Sequence, residues 1–162
     1  MERQACIKLA GENAEQYRLQ GFHCSESSIR AVAELLGLEL TEDILRIASV
    51  FRGGGGGYGD RCGVVEAGLM LIGYLYGRAD ASVPEKGYSL LAQEWQKRFK
   101  MEFVSLYCRD ILPVALKASA ETGRLAVGAT GKSCSRTYIV GTELLMEMML
   151  DAPPLCEPAQ DA

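Results

Sequence analysis

The chain has 162 residues, 48% apolar and 23% charged, which suffices for one domain with its own core and leaves two full-sized domains cramped. Its 17 Lys and Arg against 21 Asp and Glu give a net charge of -4, which excludes the basic footprint of a nucleic-acid binder. With 18 Gly but only 5 Pro, it is neither collagen-like nor a proline-rich disordered chain.

The pattern is helical nearly throughout. A first helix is predicted over Arg3–Leu19, with Ala5, Leu9 and Tyr17 on its apolar side and Gly21 as its stop. The charges Glu2, Arg3, Lys8, Glu12, Glu15 and Arg18 in this stretch are foreign to the apolar segment of a signal peptide. Cys24-Ser25 opens a second helix, with Ser25 as cap, Glu26 in the first turn, and Ile29, Val32, Ala33, Leu35 and Leu36 inward; Gly37 ends it. Thr41, followed by Glu42 and Asp43, starts a third that carries Ile44, Leu45, Ile47 and Ala48 and stops near Phe51.

Five glycines follow without a break, Gly53 to Gly57, then Tyr58, Gly59, Asp60, Arg61 and Cys62. At about 1 kcal/mol per glycine, such a run is no helix interior. It is either a tight turn or a nest of backbone N–H groups that converge on an anion, a sulfur or a cofactor. Gly55, Gly56, Gly57, Tyr58, Arg61 and Gly63 are the candidate cofactor contacts here. A fourth helix, Gly63 to about Tyr76, is apolar on most faces, as in the centre of a bundle. The uncharged run from Ala67 to Gly77 is too short to span a bilayer.

Pro84 suits the first turn of a fifth helix that continues to Leu106 or Tyr107, with Trp95, Phe99, Phe103 and Leu106 as its core stripe. Lys97, Arg98 and Lys100 lie among Glu94 and Glu102 and read as a solvated face. Cys108 to Leu112 ends this element before Pro113. Between Ala115 and Gly131 a loop with a short helix near Leu116–Glu121 is expected. Gly128–Ser133 resembles the end of a phosphate-binding loop but lacks its first glycine and a convincing strand ahead. Ser133-Cys134 opens a last helix, with Ile139, Val140, Leu144, Leu145, Met148 and Met149 inward. The expected fold is all-α, a compact irregular bundle of five or six helices over residues 1–152, with a loose tail at 153–162.

Six cysteines stand out: Cys6, Cys24, Cys62, Cys108, Cys134 and Cys156. No two are close enough in sequence for a zinc knuckle, a thioredoxin-type pair, a ferredoxin run or covalent haem attachment. Any site must therefore be assembled by folding. Cys24, Cys62 and Cys134 fall at predicted helix starts, where unpaired N–H groups favour thiolate; Cys108 is placed at the far end of its helix, where the dipole opposes it. The competing reading is four buried small hydrophobes. His23, the one histidine, is either a neighbour that tunes Cys24 or a surface residue.

These residues carry a resemblance. Gly21-Phe22-His23-Cys24, Phe51-Arg52 with the glycines, Cys62-Gly63, Tyr76-Gly77, Phe99, Cys108-Arg109-Asp110-Ile111 and Cys134 together resemble the family of redox-active proteins with a Cys…Cys-Gly-Ala-x-x-Gly…Cys…Cys signature. Val64 replaces the signature alanine, and Ala67 its second glycine, with Gly68 one step late. The resemblance implies a redox role for Cys24, Cys62, Cys108 and Cys134; a related domain occurs in a split-Soret type cytochrome c. Cys6 and Cys156 lie outside the signature as bystanders, or as a pair.

The leading expectation is that these four cysteines hold an iron–sulfur cluster or another metal for electron transfer. Metal-free thiol–disulfide exchange among the same residues is the second, and a binding or scaffold protein with buried free cysteines the third. A cytoplasmic location, an oxidoreductase or electron-transfer partner, a homodimer and no membrane insertion complete the expectation.

Overall fold

The computed structural model describes residues 2–85, 87–112 and 134–152. Seven helices occur among them: α1 (Arg3–Leu19), α2 (Cys24–Leu35), α3 (Glu42–Ser49), α4 (Gly63–Tyr76), α5 (Tyr88–Phe103), α6 (108–112) and α7 (Ser135–Asp151). The fold is an all-α irregular bundle, and the described residues hold no strand, only an isolated bridge between Arg61 and Tyr107. The count exceeds the expected five or six because the predicted fifth helix is two. The expected loop and short helix between residues 115 and 131, the phosphate-loop look-alike and the tail with Cys156 lie outside the described residues.

Helix α1 packs along α7 and α2, α2 packs on α4, and α5 closes the far side of α4 and α7. The buried side of α1 is Cys6, Ile7, Ala10, Gly11 and Ala14; Ala5, expected inward, is exposed. Small residues win there because α7 comes close: a Cβ on Gly11 would meet the Glu143 side chain at 2.8 Å. Positive φ at Gly21 and Gly37 stops α1 and α2 as expected. Ser25, the expected cap of α2, is not one. His23 occupies that position, Glu26 accepts its backbone N–H at 3.0 Å, and the buried Ser25 hydroxyl donates to the Ala48 carbonyl at 2.7 Å, tying α2 to α3.

The centre of the core is Val64, Val65 and Leu71 of α4, Trp95 and Phe99 of α5, and Leu145 and Met146 of α7. Burying each large side chain contributes about 1.5–3 kcal/mol. The methionines 146, 148 and 149 are core. Gly68, one step late against the signature, carries a packing role: a side chain there would overlap the Trp95 indole, whose Nε1–H donates to the Val65 carbonyl at 2.9 Å.

Helix α5 starts at Tyr88, after the left-handed Gly87, so Pro84 precedes the helix. It stops at Phe103 because Val104 takes φ 66°, a rare conformation for a β-branched residue. That reversal sends 106–109 back against 59–62. Here the Cys62 N–H donates to the Leu106 carbonyl at 2.8 Å, the Cys108 N–H to Asp60 at 2.7 Å, and the Arg109 N–H to Gly59 at 2.9 Å. No described helix is long and apolar enough to cross a membrane.

Candidate functional site: a four-cysteine cavity

Every signature cysteine begins a helix. Cys24 is the first residue of α2, Cys62 the N-cap of α4, Cys134 the N-cap of α7, and Cys108 the first residue of α6. Cys108 was expected at a helix C-terminus; the left-handed Val104 separates it from α5 and makes it a start instead. None of the four is in a disulfide.

They line one cavity of about 60 Å³, together with Gly53, Ile111, Leu112, Thr137 and Tyr138. The convergence has a simple basis. Three backbone hydrogen bonds clamp the Cys62 and Cys108 segments side by side, and the buried Ser28–Thr142 hydroxyl pair, 2.8 Å apart, locks α2 to α7. Gly63 lets Cys24 in, since a side chain on Gly63 would overlap the Cys24 sulfur.

Burial, not the helix ends, sets the acidity of these thiols. Desolvation pushes Cys24 up from its ordinary range although backbone groups of Gly53, Ser25 and Gly63 hydrogen-bond its sulfur. Desolvation and then the Cys24 charge push Cys62 well up. Cys108 rises to about 11, through desolvation, then Cys134, then Cys24. The thiolate character expected at Cys24 and Cys62 is thus reversed in the reduced protein. A helix terminus contributes about 0.3–2 kcal/mol, and removing an anion from water into an apolar cavity costs more than that. Among neighbouring thiols, Cys24 acts most strongly on Cys62 and Cys134 most strongly on Cys108.

The glycine loop works differently from an open nest. Gly53 to Gly57 all have positive φ, between 57° and 91°, and form a left-handed turn that bonds to itself. The N–H groups of Gly55, Gly56 and Gly57 donate to Phe51, Val50 and Arg52 carbonyls. These three glycines and Tyr58, which is 83% accessible, face outward away from the cavity. Gly53 alone of the run lines it. Arg61 lies outside it too, 3.7 Å from the Glu66 carboxylate. Of the candidate contacts, Gly63 is the one that packs on a cavity sulfur. His23 is half-buried and lines a separate open cleft with Gln20, Glu26 and Arg52.

Thr137 and Tyr138 were not singled out from sequence. A signal existed: they stand three and four residues after Cys134, hence on its helix face. Tyr138 is 1% accessible, and its hydroxyl has no hydrogen-bond partner among the described residues. Arg18, bonded to Glu15 at 2.6 and 2.7 Å, is near enough that the Cys134 and Tyr138 charges strengthen its hold on its proton. Cys6 sits apart in the main core.

The donor set is of the soft kind that suits iron–sulfur or zinc centres. Among the described residues, no group of three or more His, Cys, Asp or Glu side chains is arranged to hold a metal ion. A family model described as "Putative redox-active protein (C_GCAxxG_C_C)" matches residues 22–148. No curated protein and no solved structure matches the chain.

Proposed function

Since the chain belongs to this redox-active cysteine family, we propose that it is a metal-free thiol–disulfide redox protein using Cys24, Cys62, Cys108 and Cys134. The observation that carries the reading is the single small cavity lined by all four thiols. The proposed pairing is Cys24 with Cys62, because the Cys24 sulfur rests on Gly63, the residue next to Cys62, which leaves Cys108 with Cys134 on the same cavity. On oxidation, each pair loses two electrons and two protons, and a disulfide of a small molecule or a partner protein takes up both and leaves as two thiols.

Cys108 and Cys134 are partly exposed and meet the partner; Cys62 is deeply buried. With thiolate disfavoured by burial, the reduced form lacks the stabilisation that makes a disulfide strongly oxidising. On this reading the protein is a donor of electrons and not a strong oxidant. An iron–sulfur centre is the second reading, favoured by the four sulfurs and the backbone N–H groups around Cys24. It requires the sulfurs to turn from their present arrangement.

The deciding experiment is to purify the full chain without oxygen, quantify iron, sulfide and zinc, and map disulfides after equilibration with oxidised glutathione. A metal-free protein that gains the two named disulfides reversibly supports the proposal. Iron with matching sulfide, lost in Cys24→Ser or Cys134→Ser, overturns it in favour of the cluster. Four thiols that stay reduced leave a helical binding protein.

A further inference from the structure

Among the described residues, Tyr138 is the one buried side chain on the cavity wall, other than the thiols, that carries an unanswered hydrogen-bond donor. Leaving such a hydroxyl buried without a partner costs about 1–3 kcal/mol, and a phenylalanine would fill the same space without that cost. A hydroxyl kept under those terms has its partner in another state of the protein. Of the cavity thiols, Cys24 exerts the strongest electrostatic influence on this hydroxyl. Burial holds the phenol far above its ordinary acidity range, so it donates without giving up its proton.

Resting on the disulfide reading above, we propose that Tyr138 is a positioning residue whose phenolic O–H donates to the Cys24 thiolate released when the Cys24–Cys62 disulfide opens. The Cys108 thiolate, freed when dithiothreitol reduces the partner-facing Cys108–Cys134 pair and lining the same cavity, bonds to the buried Cys62 sulfur; the Cys24–Cys62 bond breaks, and its electron pair departs on Cys24. Backbone N–H groups of Gly53, Ser25 and Gly63 already face that sulfur; Tyr138 adds the side-chain donor. A dithiothreitol thiolate then bonds to the partly exposed Cys108 sulfur and releases Cys62, and its second thiolate attacks its own first sulfur and displaces the Cys108 thiolate. Cyclic oxidised dithiothreitol leaves, and solvent returns the two protons.

The test compares full-length wild type, Tyr138→Phe, and a chain with 3-fluorotyrosine, a more acidic phenol, at this position. Each is oxidised with glutathione disulfide and reduced with dithiothreitol at one fixed pH, and alkylation of Cys24 is followed by mass spectrometry. A hydrogen bond to a charged group predicts opening about tenfold or more slower in Tyr138→Phe, faster opening with 3-fluorotyrosine, and a raised melting temperature of the reduced protein in Tyr138→Phe. Equal opening rates in all three overturn the role of Tyr138 and leave the disulfide reading standing. Absence of a Cys24–Cys62 disulfide in every chain overturns that reading and this proposal with it.

Discussion

Gly63 lies directly beneath the sulfur of Cys24, so that the residue after one signature cysteine makes room for another. The Cys-Gly step of the signature thus has a steric meaning. Gly63→Ala is expected to destabilise the protein by about 1–3 kcal/mol through overpacking and to change the alkylation rate of Cys24. Gly73, also in α4, has open space around it. Gly73→Ala is expected to stabilise by about 0.4–1 kcal/mol. Urea denaturation of both variants, with thiol labelling of the first, checks the contrast.

The acidity of Cys108 sets a pH dependence. Its folded value, about 11, lies above the ordinary 9 of a free thiol. In the reduced protein its labelling by iodoacetamide should therefore stay slow at neutral pH and rise as pH approaches 11. Stability follows the same group. The native state holds the proton longer than the unfolded chain, so the contribution is fully present below pH 9 and is lost as pH rises through 11. Labelling rates and denaturant midpoints measured across that window check both.

The Ser28–Thr142 pair links the helices that carry Cys24 and Cys134. Thr142→Val strands the buried Ser28 hydroxyl and should cost about 1–3 kcal/mol. The double variant Ser28→Ala/Thr142→Val removes both polar groups and should recover part of that loss. A double-mutant cycle in urea measures the coupling, which an inert pair would leave at zero.

Val104 is 83% accessible and takes a left-handed conformation between α5 and α6. It has little packing to lose. Val104→Gly should raise stability by about 1 kcal/mol by relieving backbone strain, with the melting temperature as the readout.

Cys6 lies in the core away from the cavity. Cys6→Ala should leave the number of electrons taken up in a redox titration unchanged, whereas Cys62→Ala should abolish one disulfide.

Much of this was legible in the sequence, for identifiable reasons. Apolar periodicity and glycine stops placed α1, α2 and α4 because their faces and ends are decided locally, by Gly21, Gly37 and the N-cap at Cys62. The break between α5 and α6 was hidden. It rests on a valine in a conformation its side chain disfavours, held by the pairing of 106–109 with 59–62. Ser25 looked like a cap, but the carbonyl of Ala48 outcompetes the helix end for its hydroxyl. Cys24, Cys62 and Cys134 mark helix starts in the sequence itself; the acidity of the cavity thiols does not follow from that position. It depends on how dry the cavity is, and that is a property of Ile111, Leu112 and Tyr138 arriving from distant parts of the chain.

The glycine turn has a stereochemical consequence. Five successive residues at positive φ hold the backbone in the half of conformational space that L-amino acids disfavour. Glycine, being achiral, is the natural residue able to follow that path at every step. At Gly55, which is exposed with open space around it, a D-alanine introduced by semisynthesis would match the backbone that an L-alanine opposes. The two enantiomers of one side chain should then move stability in opposite directions.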